Sequence, residues 1–189
     1  MLRATDVEPA IAAVLALLPG APARTGPTRV IAVDGRSGAG KSSFARRLGA
    51  ALDDAPVVRL DDVYPGWDGL EDGVTRLVDG VLRPVSMGDS ATLRRYDWVT
   101  ESDGEAYQIP CAATMVVEGC GAGAAVCRPF LSVLVWVQAP EDVRFRRAID
   151  RDGESYRPHW RQWADQEDAH FAREGTAGQA DVLLDTGTL

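Results

Sequence analysis

The chain has 189 residues, of which 46% are hydrophobic and 25% are charged, and these values predict a soluble globular protein with a single domain. Its formal net charge of −8 at pH 7 argues against a nucleic-acid-binding surface as its main function. The chain contains no run of about eighteen apolar residues, so no membrane span and no membrane partner are predicted.

The first 27 residues are predicted to form a helix and a loose linker that pack on a main domain at residues 28–189. Residues 11–18 are apolar, and Thr5 or Asp6 is a suitable N-cap for a helix that covers them. Asp6 and Glu8 also interrupt what would be the positively charged region of a signal peptide. The segment is therefore predicted to be part of the folded protein.

Short apolar runs alternate with helical stretches along the main domain. Strands are predicted at residues 28–33, 57–60, 113–117, 132–137 and 181–185, and helices at residues 70–81, 140–152 and 159–174. Such an alternation predicts an α/β fold with a parallel sheet of about five strands, covered by helices on both faces. Ligands of these sheets lie beyond the carboxyl ends of the strands, where Asp34, Asp61, Asp62 and Glu118 would gather.

The segment between the first predicted strand and the helix after it matches a phosphate-binding motif. Residues 35–42 read Gly-Arg-Ser-Gly-Ala-Gly-Lys-Ser, the G-x-x-x-x-G-K-[ST] pattern of a P-loop. Lys41 in this motif is the only lysine among the twenty basic residues of the chain. Backbone amides of the loop and the N-terminus of the following helix are predicted to cradle phosphates. The residues predicted to bind the nucleotide there are Gly35, Ser37, Gly38, Ala39, Gly40, Lys41, Ser42 and Ser43.

Carboxylates follow two of the predicted strands beside the P-loop. Asp61 and Asp62 end one strand, where either could accept a proton from an attacking hydroxyl or simply cap a turn. Glu118 ends another and precedes Gly119, the placement of a carboxylate that orients Mg²⁺ or of an ordinary strand-terminal acid.

Three arginines share one face of the predicted helix at residues 140–152. Arg144, Arg147 and Arg151 follow i, i+3, i+7 spacing, so phosphate oxygens could lie between them. The alternative is a solvated face balanced by neighbouring acids. Aromatic residues that could stack on a planar substrate, or pack under a lid, are Tyr64, Trp67, Tyr96 and Trp98.

These motifs, in this order, resemble the P-loop nucleoside kinases of the uridine kinase type over most of residues 28–186. Four segments carry the resemblance besides the P-loop itself. They are Asp61-Asp62-Val63-Tyr64 for Asp-x-Phe-Tyr, Tyr96-Asp97-Trp98 for Tyr-Asp-Phe, Val116-Val117-Glu118-Gly119 for Val-x-Glu-Gly, and the arginine-bearing helix that begins near Asp142 for the lid.

The resemblance implies a three-layer P-loop kinase fold with a short helical lid. It implies transfer of the ATP γ-phosphoryl group to a hydroxyl of a small molecule, a nucleoside or nucleoside-like metabolite, with ATP and Mg²⁺ as cofactors. By the same resemblance, the catalytic residues are Lys41, Asp61, Arg147 and Arg151, and Arg144 joins the nucleotide site. Acceptor residues are Tyr64, Trp67, Tyr96 and Asp97, and the Mg²⁺ residues are Ser42 and Glu118.

Alternatives remain at the sequence level. A nucleoside monophosphate kinase would need a basic cluster, which Arg76, Arg83, Arg94 and Arg95 could supply. A non-catalytic ATP-binding regulatory module would need no acceptor site. Glu101 and Asp103 stand where the family has a histidine and an arginine, which predicts an acceptor pocket that disfavours uridine itself.

Cellular setting is inferred from the cysteines. Cys111, Cys120 and Cys127 form no C-x-x-C pair, so they favour reduced thiols and a cytoplasmic protein. The expected partner is a small-molecule acceptor without nucleic acid, and a homo-oligomer is left open.

Overall fold

A computed structural model describes residues 1–188 of the chain; Leu189, the last residue of the predicted main domain, lies outside the described residues. The strands and α-helices follow in the order β1 (Leu2–Ala4), α1 (Val7–Leu17), β2 (Arg29–Asp34), α2 (Lys41–Ala51), β3 (Val57–Arg59), α3 (Leu70–Leu77), α4 (Arg83–Ser86), β4 (Ala91–Asp97), β5 (Ser102–Ile109), β6 (Thr114–Glu118), β7 (Leu131–Gln138), α5 (Glu141–Asp152), α6 (Trp160–Glu174), α7 (Thr176–Gln179) and β8 (Val182–Asp185).

Six strands form one parallel sheet in the order β1-β8-β7-β2-β6-β3. The strand that precedes the P-loop, β2, lies in the middle, with β6 and then β3 on one side of it and β7 on the other. The five predicted strands are all present, and the α/β P-loop kinase architecture is confirmed. The sixth strand, β1, was not predicted, because three exposed or half-exposed residues carry no apolar run.

Both faces of the sheet are covered, and β2 shows why. Val30 and Ala32 point into one core cluster, whereas Ile31 and Val33 point into the other. Side chains alternate across a strand, so an unbroken apolar run serves a sheet that is buried on both sides. Helices α1 and α2 cover the face of Ile31, and α3 and α6 cover the opposite face. This arrangement gives the three layers.

The third helix is longer than predicted. The sequence predicts its end at residue 81, but helical turns continue through a π-helical segment at Val78–Leu82 into α4. Val81, Leu82 and Val85 are all buried, so the apolar stripe that starts in α3 continues past the predicted end.

An antiparallel hairpin, β4 with β5, was not predicted from the sequence. Only Ala91 and Leu93 of β4 are buried, while most of β5 is exposed, so the apolar signal is short and one-sided. Its tip, residues 97–102, carries Trp98 to the carboxyl edge of β3, where Trp98 Nε1 donates to the carbonyl oxygen of Asp61 at 3.2 Å. Every helix within residues 1–188 is too short or too polar to cross a bilayer.

Candidate active site

Glycines let the P-loop fit between the end of β7 and the start of α5. Gly35 has φ +144° and Gly38 has φ +75°, a region that favours glycine. A Cβ on Gly35 would collide with the carbonyl oxygen of Val137, and one on Gly38 with that of Arg144. The loop therefore requires glycine at both positions for space as well as for conformation.

The second half of the loop keeps its amides available. Within residues 1–188, the backbone N–H groups of Gly38, Gly40, Lys41 and Ser42 donate to no protein oxygen. Three of them belong to the start of α2, where unpaired amides and the helix dipole favour an anion.

Lys41 is folded against its own loop. It is 8% exposed, and its Nζ donates to the carbonyl oxygen of Arg36 at 3.0 Å and lies 3.5 Å from Cys120 Sγ. Burial lowers the pKa of Lys41, but nearby acidic groups, Cys120 and Glu118 first, raise it above its ordinary value. The ammonium is therefore charged at neutral pH.

Asp34 has a structural role at the sheet edge. Its Oδ1 accepts from the amides of Gly35 at 2.6 Å and Gly121 at 2.9 Å, and its Oδ2 accepts from Gly123 at 2.9 Å. Burial raises the pKa of this carboxyl group, and the three amides partly offset that rise. Asp34 thus links the loop after β6 to the P-loop, and both of its carboxylate oxygens accept hydrogen bonds from backbone amides.

Arg59 bridges Asp61, the predicted catalytic acid, and Glu118, the predicted Mg²⁺ residue. Its Nε donates to Glu118 Oε1 at 3.3 Å, and a terminal nitrogen lies 3.5 Å from Asp61 Oδ2. Glu118 is 1% exposed, and its Oε2 has no hydrogen-bond partner in the described part of the chain. Burial raises the pKa of Glu118, and the neighbouring charge of Asp61 raises it further, while the nearby Lys41 ammonium lowers it.

A cavity of about 1190 Å³ connects the P-loop with the end of β3. The predicted residues that line it are Ser37, Gly38, Gly40, Lys41, Ser42, Ser43, Asp61, Tyr64, Trp67, Tyr96, Arg147 and Arg151. Five predicted site residues do not line it, namely Gly35, Ala39, Asp97, Glu118 and Arg144. The Asp97 carboxylate instead accepts from the amides of Val99 and Thr100, so it shapes the hairpin tip.

The three arginines of α5 have different surroundings. Arg144 is 7% exposed and donates to the carbonyl oxygens of Ser37 and Ala139, so it braces the P-loop from outside the cavity. Arg147 donates to the hydroxyl and carbonyl oxygens of Thr186 at 2.9 and 2.8 Å. Arg151 forms two hydrogen bonds with its neighbour Asp152, which raise its pKa above the ordinary value. Backbone and hydroxyl oxygens of other segments hold Arg144 and Arg147, which a solvated face does not explain, whereas the pair of Arg151 with Asp152 fits the alternative of an arginine balanced by a neighbouring acid.

Aromatic rings form part of the wall of this cavity. Trp67 stacks on His159, with ring centroids 4.3 Å apart and an interplanar angle of 3°, and on Tyr156 at 5.2 Å. Tyr96 meets Trp98 edge-on at 5.2 Å. Tyr64 is fully buried below this wall, where its hydroxyl donates to the carbonyl oxygen of Cys120 at 2.8 Å.

Glu101 and Asp103, the two residues that predicted a pocket disfavouring uridine, have different surroundings. Glu101 lines the cavity with φ +50° at the hairpin tip. Asp103 makes two hydrogen bonds to Arg76, at 2.6 and 3.3 Å, and does not line the cavity.

Several residues at the site were not identified from the sequence. They are Arg59, Cys120, Tyr156, His159 and Glu167, which line the cavity or contact the P-loop. Glu167 belongs to a predicted helix without any motif, so no local pattern separates it from the other acids of α6. Only the packing of α6 against the P-loop identifies it.

Sequence comparison finds no matching family model and no matching curated protein. Solved structures do match. A possible uridine kinase from Bacillus stearothermophilus has a TM-score of 0.67 and 21% identity, over 95% of this chain and 99% of that chain. A candidate fructose transport system kinase from Silicibacter sp. TM1040 has a TM-score of 0.60 and 17% identity, also over 95% of this chain and 99% of the other. The chain therefore has the fold of P-loop kinases, and the resemblance to the uridine kinase type is confirmed at the level of the fold.

Proposed function

We propose that this protein is an ATP-dependent kinase that transfers the γ-phosphoryl group to a hydroxyl of a small molecule with a planar or ring-shaped part. The observation that carries the proposal is the continuous cavity from Lys41 to Asp61. It joins a phosphate-binding loop with available amides to a carboxylate that can take a proton, within walls of aromatic rings.

The nucleotide end has room for more than phosphates. A second cavity of about 520 Å³ shares Gly40, Ser43 and Arg147 with the first. Phe44 and Leu184 form part of its wall. Phosphates bound at the start of α2 would therefore have adjacent space for a ribose and a base.

The residues present fit a magnesium ion bound together with phosphates. Within the described residues, Glu118 Oε2 is buried without a hydrogen-bond partner, and Ser42, at the start of α2, lines the large cavity. Within residues 1–188, no group of three or more His, Cys, Asp or Glu side chains forms a metal site by itself. That donor set suits Mg²⁺, which needs few protein ligands because waters and phosphate oxygens complete its shell. When bound, the ion would offset the negative charge of the phosphates.

The chain's own groups account for the remaining tasks. Lys41 would exchange its bond to the Arg36 carbonyl for phosphate oxygens, and Asp61 would accept the proton of the acceptor hydroxyl. Arg151, beside Asp152, would contribute positive charge near the transferred group. Most of the acceleration would come from this positioning and charge, because phosphoryl transfer has a loose transition state.

A nucleoside monophosphate kinase has less support. Of the four arginines that would form its basic cluster, Arg95 alone lines the large cavity. Arg76 is paired with Asp103 and Arg83 with Asp79. No specific observation favours this second reaction.

A coupled assay of ADP release tests the proposal. Nucleosides, nucleoside monophosphates, sugars and other small alcohols are offered with MgATP, and at least one class should give a rate above the acceptor-free background. Lys41→Ala provides the background of a protein that lacks the phosphate-binding ammonium. Binding of MgADP without acceptor-dependent ADP release in any class would favour the regulatory module instead.

A further inference from the structure

Ser37, at the third position of the P-loop, has every polar group held by the C-terminal half of the chain. Its amide donates to Glu167 Oε1 at 2.6 Å, and its carbonyl oxygen accepts from Arg144 at 3.1 Å. Its hydroxyl accepts from the Tyr156 hydroxyl at 3.0 Å. These partners come from α5, from the segment after it and from α6, so one loop residue is fixed from three places.

Glu167 is the best anchored of the three partners. It is 1% exposed, and its Oε1 also accepts from Trp163 Nε1 at 3.1 Å and from Cys120 Sγ at 3.0 Å. Its Oε2 lies 3.8 Å from a guanidinium nitrogen of Arg36 and of Arg144. A buried carboxylate needs several donors and opposite charges nearby, and this one has both.

The contacts extend to the residues before Ser37. The Cys120 Sγ that donates to Glu167 also lies 3.2 Å from the Gly35 carbonyl oxygen, and the Arg36 carbonyl oxygen accepts from Lys41. Glu167 therefore holds the Ser37 amide and the Arg36 carbonyl oxygen holds the Ala39 amide, while within residues 1–188 the amides of Gly38, Gly40, Lys41 and Ser42 stay available. A glycine-rich loop loses much backbone entropy when it is ordered, so holding it before the ligand arrives favours binding.

A carboxylate this close to a phosphate site would repel the ligand if its charge were not offset. Arg36 and Arg144 supply positive charge on its Oε2 side, while Oε1 is occupied by the Ser37 amide. The arrangement lets Glu167 orient the loop without competing for the available amides.

We propose that Glu167 is a positioning residue for nucleotide binding, which holds the Ser37 amide and so keeps the P-loop in its phosphate-binding form. The inference rests on the proposed function, because it assumes that the loop binds a nucleotide. The proposal gives α6 a role in ordering the P-loop, and no sequence motif of the chain indicates that role.

The test compares Glu167→Gln with the wild-type protein by calorimetric titration with MgADP at a temperature where both are folded. Glutamine keeps the shape, but its NH₂ group must face either the Ser37 amide or the arginines, all of which are donors. The dissociation constant for MgADP is expected to rise about ten-fold or more, the scale of one lost charge-assisted hydrogen bond. Glu167→Asp, which restores the charge on a shorter side chain, should recover part of the affinity.

Asp168→Asn is the matched control. Asp168 is the next residue on the same helix and bonds Arg36 at 2.6 Å, but its side chain is 62% exposed and contacts no P-loop amide. Its MgADP affinity should stay within about two-fold of wild type. A folded Glu167→Gln protein with wild-type MgADP affinity would overturn the proposal.

Hydrogen exchange of the nucleotide-free protein gives a second readout. The proposal expects Glu167→Gln to speed exchange in the peptide that covers residues 35–42 and to leave the sheet strands unchanged. Faster exchange throughout the molecule would mean that Glu167 is merely structural and would refute the positioning role. If wild-type protein bound no MgADP, the kinase proposal would fail, while the exchange data would still decide whether Glu167 holds the loop.

Discussion

Lys41 is distinguished both by its place in the sequence and by its contacts in the structure. The sequence marks it by its position in the P-loop and by its uniqueness, and the structure buries it against Arg36 and Cys120. A side chain held on a carbonyl of its own loop can turn to phosphate oxygens without leaving the cavity.

Replacement of this lysine should stop the reaction and leave the fold intact. For Lys41→Ala we expect kcat to fall by about a hundred-fold or more, because the contact is strongest in the transition state. Lys41→Arg keeps the charge but not the compact ammonium, so it should also be strongly impaired. Steady-state kinetics, with circular dichroism to check folding, measures both. Near-normal turnover in a folded Lys41→Ala protein would rule out the assigned role.

Asp61 and Asp62 allow a matched comparison on adjacent residues. Asp61 shares Arg59 with Glu118, whereas Asp62 lies 3.7 Å from the guanidinium of Arg95. Asp61→Asn should lower kcat by about a hundred-fold or more, because the amide cannot accept the proton, with little change in MgADP affinity. Asp62→Asn should cost less than about ten-fold in kcat. The reverse order of effects would show that Asp62 is the base.

Asp34 is expected to stabilise the folded protein. Asp34→Ala would leave three buried amides, those of Gly35, Gly121 and Gly123, without their acceptor. The free energy of unfolding should fall by about 3 kcal/mol or more, since each unsatisfied buried donor costs about 1–3 kcal/mol. Urea denaturation measures the change, with the exposed Asp89→Ala as the control. Equal midpoints for the two variants would contradict this account of Asp34.

At the scale of elements, the sequence identifies what is strongly patterned and misses what depends on tertiary contacts. The five strands with buried apolar runs and the P-loop between β2 and α2 were predictable, because hydrophobic period and glycine positions are local signals. The hairpin of β4 and β5 and the edge strand β1 were not, because each has few buried residues.

The same distinction applies to the candidate site. Residues at strand ends could be proposed from the sequence, since parallel strands bring their carboxyl ends together. Tyr156 and Glu167 could not, because their contacts with Ser37 span 119 and 130 residues of sequence. Only the packing of the segment after α5 and of α6 brings them to the loop.

The hairpin tip is expected to take part in acceptor binding through Trp98. In Trp98→Phe the ring stays apolar, but the hydrogen bond to the Asp61 carbonyl is lost. We expect the KM for the acceptor to rise by about two- to ten-fold, the range for one neutral hydrogen bond, with the KM for ATP unchanged. Thr92→Ala, an exposed position elsewhere on the same hairpin, is the control. An unchanged acceptor KM in Trp98→Phe would show that the hydrogen bond from Trp98 to Asp61 plays no part in acceptor binding.

At the scale of the whole molecule, the central strand β2 leads directly into the loop that both halves of the chain surround. The N-terminal half supplies the P-loop and Asp61, and the C-terminal half supplies Arg144, Tyr156 and Glu167. The large cavity lies at the carboxyl edge of the sheet, and Arg144 and Glu167 hold the P-loop from outside it.

The measurement that tests this account most directly follows the phosphoryl group itself. ATP labelled in its γ-phosphoryl group is incubated with Mg²⁺, the protein and the acceptor that gives the fastest ADP release, and the products are separated. The account predicts label on the small molecule with wild-type protein and none with Lys41→Ala. Label that stays on ATP or appears only as inorganic phosphate, with every class of hydroxyl acceptor, would contradict the assignment as a small-molecule kinase.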